Sequence, residues 1–211
     1  MNKRNPAAAV LLMLGAALIG TAGAANAASV RHVGFDELVD TSALIFRGRV
    51  EKSGSRASAD GRSIVTDVWF EVIDTYKGTA PGGQLRLTFA GGEHNGRGMK
   101  IHGLTLPRIG EEGVYFVEQL ERPQVNPLFG WEQGHYLVRR DAAGVARIFT
   151  ADGIAVVTAV RAASPGESRL SQGIPVGVTI DRTAAAGAAL GLADFAATIR
   201  SAHEAQMEEA R

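Results

Sequence analysis

Cysteine is absent from this sequence. That absence removes disulfide staples, thiol nucleophiles, cysteine-ligated zinc and lipid attachment through a terminal cysteine. Stability must come from packing. A net charge is lacking too: 22 basic and 22 acidic residues cancel, so no long-range field draws the chain to nucleic acid or anionic lipid. Nucleic acid is not an expected partner. There is no His-Glu-x-x-His pair, no Gly-x-Ser-x-Gly elbow and no repeat with a period of tens of residues, so three common routes to a sequence-level assignment are closed. Aromatic residues make up only 6% of the chain.

What is present is an ordinary globular composition, 45% hydrophobic and 21% charged over 211 residues, enough for one domain with a core. The beginning stands apart. Lys3 and Arg4 precede an apolar stretch from Ala7 to Gly20, and Ala25-Asn26-Ala27 is a small-x-small cleavage site. Residues 1–27 read as a signal peptide, the mature chain starting near Ala28, and the protein is expected in the periplasm or the medium. No stable membrane span is expected after cleavage. The alternative is an uncleaved anchor over Ala7 to Ala25, which carries no charge. Cleavage would remove two bases and no acid, leaving 20 bases against 22 acids.

Between Phe35 and Thr150 the apolar period is mostly two, the mark of half-buried strands. Ile64, Val68, Phe70, Val72 and Tyr76 share one face of a long strand, with Asp67, Glu71 and Thr75 on the other. Leu85, Leu87 and Phe89 alternate with Gln84, Arg86 and Thr88, and the intervening "KGTAPGG" is turn chemistry, so the two runs predict a hairpin. An earlier strand, Leu44 to Lys52, places Leu44, Phe46, Gly48 and Val50 together. Its glycine permits bending or a close backbone approach. "GVYFVEQL" is apolar on both faces and therefore central, while "HYLVRR" and "VARIFT" flank the turn "DAAG". "FDELV" predicts a short helix before the first strand, and "DGIAVVTAV" predicts one further strand after Thr150. Asp194 starts a terminal helix through Glu209, with Phe195, Ile199 and Ala202 at helical spacing. The expected organisation is a β domain over 28–160, a flexible Ala/Gly/Ser/Pro-rich link over 161–189 and a helix over 190–211.

The order of helix, bent strand, long strand, Lys-Gly turn and alternating strand, carried by "SALIFRGRV…TDVWFEVIDTYKG…LRLTF", resembles the netrin-like, OB-type barrel of tissue inhibitors of metalloproteinases and of a broad set of exported bacterial proteins. The resemblance covers roughly residues 35–120. It implies a mainly β fold, an antiparallel OB-like barrel with a short amino-terminal and a carboxy-terminal helix. The inhibitors reach the catalytic zinc through an amino-terminal cysteine, which this chain lacks, so that mechanism does not transfer.

"FAGGEHNGRG", Phe89 to Gly98, poses the main chemical question. As a phosphate cradle it fails, because Arg97 and Gly98 stand where the P-loop needs Lys and Ser/Thr. As a metal site it offers Glu93, His94 and His102, with His135 as a distant fourth, but Glu93 and His94 are adjacent and point opposite ways on an extended chain. The economical reading is a loop whose glycines supply special backbone dihedrals. Glu111 and Glu112 read as a solvated turn. Better binding material lies in Trp69, on the polar face of the long strand, and in the aromatic stretch with Trp131, Gln133, His135 and Tyr136. Flat apolar rings beside hydrogen-bonding groups suit protein or carbohydrate contacts. The expected function is an exported, non-enzymatic binding module with no cofactor, engaging a secreted protease or another envelope protein. The alternative is a metal-assisted hydrolase using Glu93, His94, His102 and His135.

Overall fold

Alternating apolar side chains lay out most of the chain in the computed structural model, which describes residues 30–82, 84–166, 169–171, 173–209 and 211. The signal-peptide reading of 1–27 falls outside those residues. Helix α1 spans Phe35–Thr41 and buries Phe35, Leu38 and Val39; the Ser42 hydroxyl donates to the Leu38 carbonyl at 2.7 Å and satisfies one free carbonyl at its end. The strands are β1 (Leu44–Ala57), β2 (Ile64–Lys77), β3 (Gln84–Ala90), β4 (Gly92–His94), β5 (Arg97–Met99), β6 (Glu112–Val117), β7 (His135–Arg140), β8 (Ala146–Thr150), β9 (Ala155–Ala159) and β10 (Val178–Asp181), and helix α2 (Leu192–Glu209) closes the chain.

The fold is mainly β. Eight antiparallel strands form one sheet in the order β10, β9, β8, β7, β6, β1, β2, β3, with β4 and β5 as a separate pair. The hairpin expected from Ile64 to Phe89 is present as β2 and β3, in continuous register from Val65 opposite Ala90 to Glu71 opposite Gln84. Strand β1 runs to Ala57 instead of stopping at Lys52. Three shifts in its register with β2 bend and twist it. Gly48 lies at one of them, where an added Cβ would stand 2.9 Å from the Glu71 carbonyl oxygen, the close approach its position suggested.

The sheet carries two large cores and a small third cluster of Leu137, Phe149, Ala155 and Ala189. On one face Ile45, Val114, Phe116, Tyr136, Ile148 and Val156 pack against α1 and α2 through Phe35, Phe195 and Ile199. On the other, Leu44, Phe46, Val50, Val68, Phe70, Leu85, Leu87, Phe89 and Tyr115 form a second core inside the curl of β1, β2, β3 and β6. Strand β6 is buried on both faces from Gly113 to Val117, which is why its sequence shows no alternation.

No strand pair joins the two ends of the sheet among the described residues. The segment 125–129 instead links the edge strand β3 to the interior strand β6: Ala90 N–H donates to Val125 O at 2.8 Å, Glu118 N–H to Pro127 O at 2.9 Å and Phe129 N–H to Phe116 O at 2.8 Å. A short irregular segment thus bridges the ends of β3 and β6. The stretch 161–189, expected as a link, contributes β10, which pairs with β9, and Gly34 pairs with Val176. None of the described helices is long and apolar enough to cross a membrane.

Candidate functional site

Phe89 and Ala90 end β3, and the rest of "FAGGEHNGRG" is a tight hairpin in which Glu93 faces Gly98 and His94 faces Arg97. Its turn is Asn95-Gly96, with φ of 49° and 72°, the dihedral signs of a two-residue type I′ connection. Asn-Gly was the signal available in the sequence. Gly91 and Gly92 have φ of 93° and 121°, so these two glycines serve the backbone. Glu93, His94, His102 and His135 do not converge: among the described residues no three His, Asp or Glu side chains are grouped to hold a metal.

The aromatic stretch is mostly interior. Gln133, His135 and Tyr136 are buried, at 0%, 1% and 2% exposure, and so belong to the core instead of forming a binding surface. Trp131 and Trp69 are half-buried. Gln133 explains the geometry: its amide nitrogen donates to the carbonyls of Arg31 and Gly130, and its oxygen accepts from Val33 N–H at 3.1 Å. One side chain thereby adds to the backbone bonds that tie the amino-terminal segment to residues 169–176. To bring it inward the chain passes through consecutive left-handed residues, Gly130 at φ 66° and Trp131 at φ 58°, a strained conformation for Trp that the Gln133 bonds help to hold.

Glu111 and Glu112 are half-buried and paired rather than a solvated turn. Glu111 Oε1 lies 2.8 Å from His135 Nε2 and accepts from Tyr115 Oη at 3.1 Å. Burial, and then the Glu111 charge, push the Tyr115 hydroxyl well above its usual range. The Tyr115 and His135 rings lie 5.2 Å apart, tilted by 32°, in an aromatic cluster that includes Phe46 and Phe70. Glu112 is held by Arg47 at 2.7 Å and Arg49 at 3.1 Å. Both carboxylates tie the curled half of the sheet together.

A concave site lies where the curl is left open. Between β3 and the segment 119–127 is a cleft of about 370 Å³, within the size range of ligand pockets. Arg56, Arg86 and Arg122 reach it from β1, β3 and the loop, with Glu121 as the acid in its lining. Leu87, Leu120 and Pro123 supply apolar wall. Arg56 is fixed by the buried Asp67, at 2.7 Å and 3.3 Å, and Asp67 also accepts from Thr88 at 2.6 Å. Trp69, on the same outer face, stands opposite Arg86 in the register and lies under Lys52 at 4.8 Å. Trp131 belongs elsewhere, beside a hollow lined by Val30, Arg31 and Val33.

Burial alone would raise the Asp67 carboxyl, but the hydrogen bonds from Arg56 and Thr88 and the charges of Arg56 and Arg86 outweigh it and hold it below the usual range. A carboxyl depressed in the folded state contributes stability that is complete above its unfolded value, near 3.9, and is lost as pH falls through the lower folded value. Thermal unfolding of the parent and Asp67→Asn should therefore differ most near neutral pH. The gap should close below about pH 4; a gap constant with pH would show that Asp67 makes no ionic contribution.

Comparison of the chain with known protein families, with curated proteins and with solved structures gives no match.

Proposed function

We propose that this protein is an exported, non-enzymatic binding module of OB-type, netrin-like architecture, working in the periplasm or the medium and engaging a secreted protease or another envelope protein. The curl of β1, β2, β3 and β6 around a single core, bridged by 125–129, supports the architecture. The observation that carries the function is the meeting of the arginine-lined cleft with an open sheet edge at β3. Open edges are usually blunted or covered because they pair with other chains. Here the edge adjoins a concave site, and the half-buried Glu111 and Glu112 and the buried His135 are bonded within the fold.

Protein recovered from its native host tests both halves of the proposal. The chain should begin close to Ala28, and an intact Met1 on membrane-bound protein would overturn export. A photoreactive side chain at Leu120, 41% exposed on the cleft wall, should give a discrete heavier adduct in the intact envelope. Absence of any adduct would remove the binding role from this cleft.

A further inference from the structure

We infer that the cleft takes an extended segment of a partner protein, which adds to β3 as a further strand and sets an Asp or Glu side chain among Arg56, Arg86 and Arg122. This rests on the binding-module reading and deepens it. Two backbone bonds fix which groups of β3 are free. Gly91 N–H donates inward to Ile64 O at 2.8 Å, whereas Ala90 N–H donates outward to Val125 O at 2.8 Å. Bonding direction alternates along an antiparallel pair, and the β2 to β3 register has no shift. Phe89, Leu87 and Leu85 therefore bond to β2, and Thr88, Arg86 and Gln84 present their N–H and C=O groups outward. No strand covers them among the described residues. These groups end where the 125–129 bridge begins, and the cleft occupies the gap between. An added strand would continue the ladder from that bridge, in the manner of peptides that extend a sheet edge.

Charge selects the occupant. Arg56 is largely neutralised by Asp67, but neither Arg86 nor Arg122 forms an ion pair among the described residues, Arg122 donating only to the Gln119 amide oxygen at 3.0 Å. Guanidinium groups bind carboxylates through paired, charge-assisted hydrogen bonds. Gln124, on the loop wall, has a buried side-chain oxygen without a partner, an acceptor available to an incoming N–H. The chain's own first residues do not fit: they carry Lys3 and Arg4, and no acid through Ala27.

The probe is a displayed library of short random peptides, selected on the mature protein. Enriched peptides should share Asp or Glu at one position within a β-branched run. Changing that acid to its amide should weaken binding about tenfold or more, the cost of a lost charged hydrogen bond. Arg86→Pro removes one outward N–H and leaves the β2 ladder intact, so it should abolish binding with little change in thermal unfolding. Arg86→Gln keeps that N–H and should lose mainly the preference for acid over amide. Enrichment without an acidic position, or peptide binding that survives Arg86→Pro, would overturn the inference. Should the Leu120 adduct form in the envelope equally well with Arg86→Pro, strand addition fails while the binding module stands. Should no adduct form, the binding role of the cleft itself fails, and strand addition there with it.

Discussion

Phe70→Ala should lower the stability of the protein by about 3–5 kcal/mol, the usual cost of emptying a buried phenylalanine site. Phe70 is fully buried, packs edge-on against Phe46 at 5.5 Å and Tyr115 at 4.8 Å, and belongs to the core inside the curl. Its neighbours come from three strands, so the site cannot collapse by moving one of them. Arg86→Ala makes the control, because Arg86 is paired across β2 with Trp69 on the opposite, exposed face. A change at such a position is expected within about 0.5 kcal/mol of neutral. In thermal unfolding the first should shift the midpoint by roughly 6–20 °C, the second by little. Equal shifts would mean that the inner and outer faces of this hairpin are reversed.

That hairpin was legible because both strands alternate over many residues, so that period two fixes face and register together. Its smaller neighbour was not. β4 and β5 have three residues each, too few for alternation to register, and the Asn95-Gly96 dipeptide, the one signal present, goes unused when the stretch is read as a loop. β10 escaped for a similar reason, four residues in a stretch of turn-forming composition.

The site residues divide along another line. Gln133, His135 and Tyr136 carry the polar and aromatic groups that a binding surface would use, and composition cannot distinguish a surface from a core that holds polar groups, here with Tyr136 Oη and His135 Nδ1 left without a partner among the described residues. What decides it is pairing between residues far apart: His135 with Glu111, and Gln133 with Arg31 and Val33. The cleft was invisible for the same cause. Arg56, Arg86 and Arg122 sit on β1, β3 and a loop, and only the bend in β1 and the bridge at 125–129 bring them around one space.

"FAGGEHNGRG" yields a graded series of expected results, because its glycines differ in what they are for. At Gly98 the backbone is not left-handed and an added Cβ would meet nothing within 4 Å, so Gly98→Val, a β-branched residue in a strand, should be close to neutral. At Gly96 the space is equally open but φ is 72°. There Gly96→Val should cost about 1–2 kcal/mol from dihedral strain alone. Gly92 has both difficulties: φ is 121°, and a Cβ would collide with Thr66 Oγ1 and Ser55 Oγ. Those hydroxyls bond each other at 2.9 Å, and Thr66 also donates to the Gly91 carbonyl at 2.7 Å. Gly92→Val should therefore add about 1–3 kcal/mol of steric cost to about 1–3 kcal/mol of strain. His94→Ala leaves every special dihedral in place and should change stability by no more than about 0.5 kcal/mol. A metal site at Glu93, His94 and His102 inverts the order, since loss of a ligand would outweigh any glycine change and a chelator would reproduce it in the parent. Thermal unfolding of the four variants, with and without chelator, separates the two: Gly92→Val far below the others and no chelator effect is the backbone result, while a large His94→Ala loss matched by chelator would restore the hydrolase.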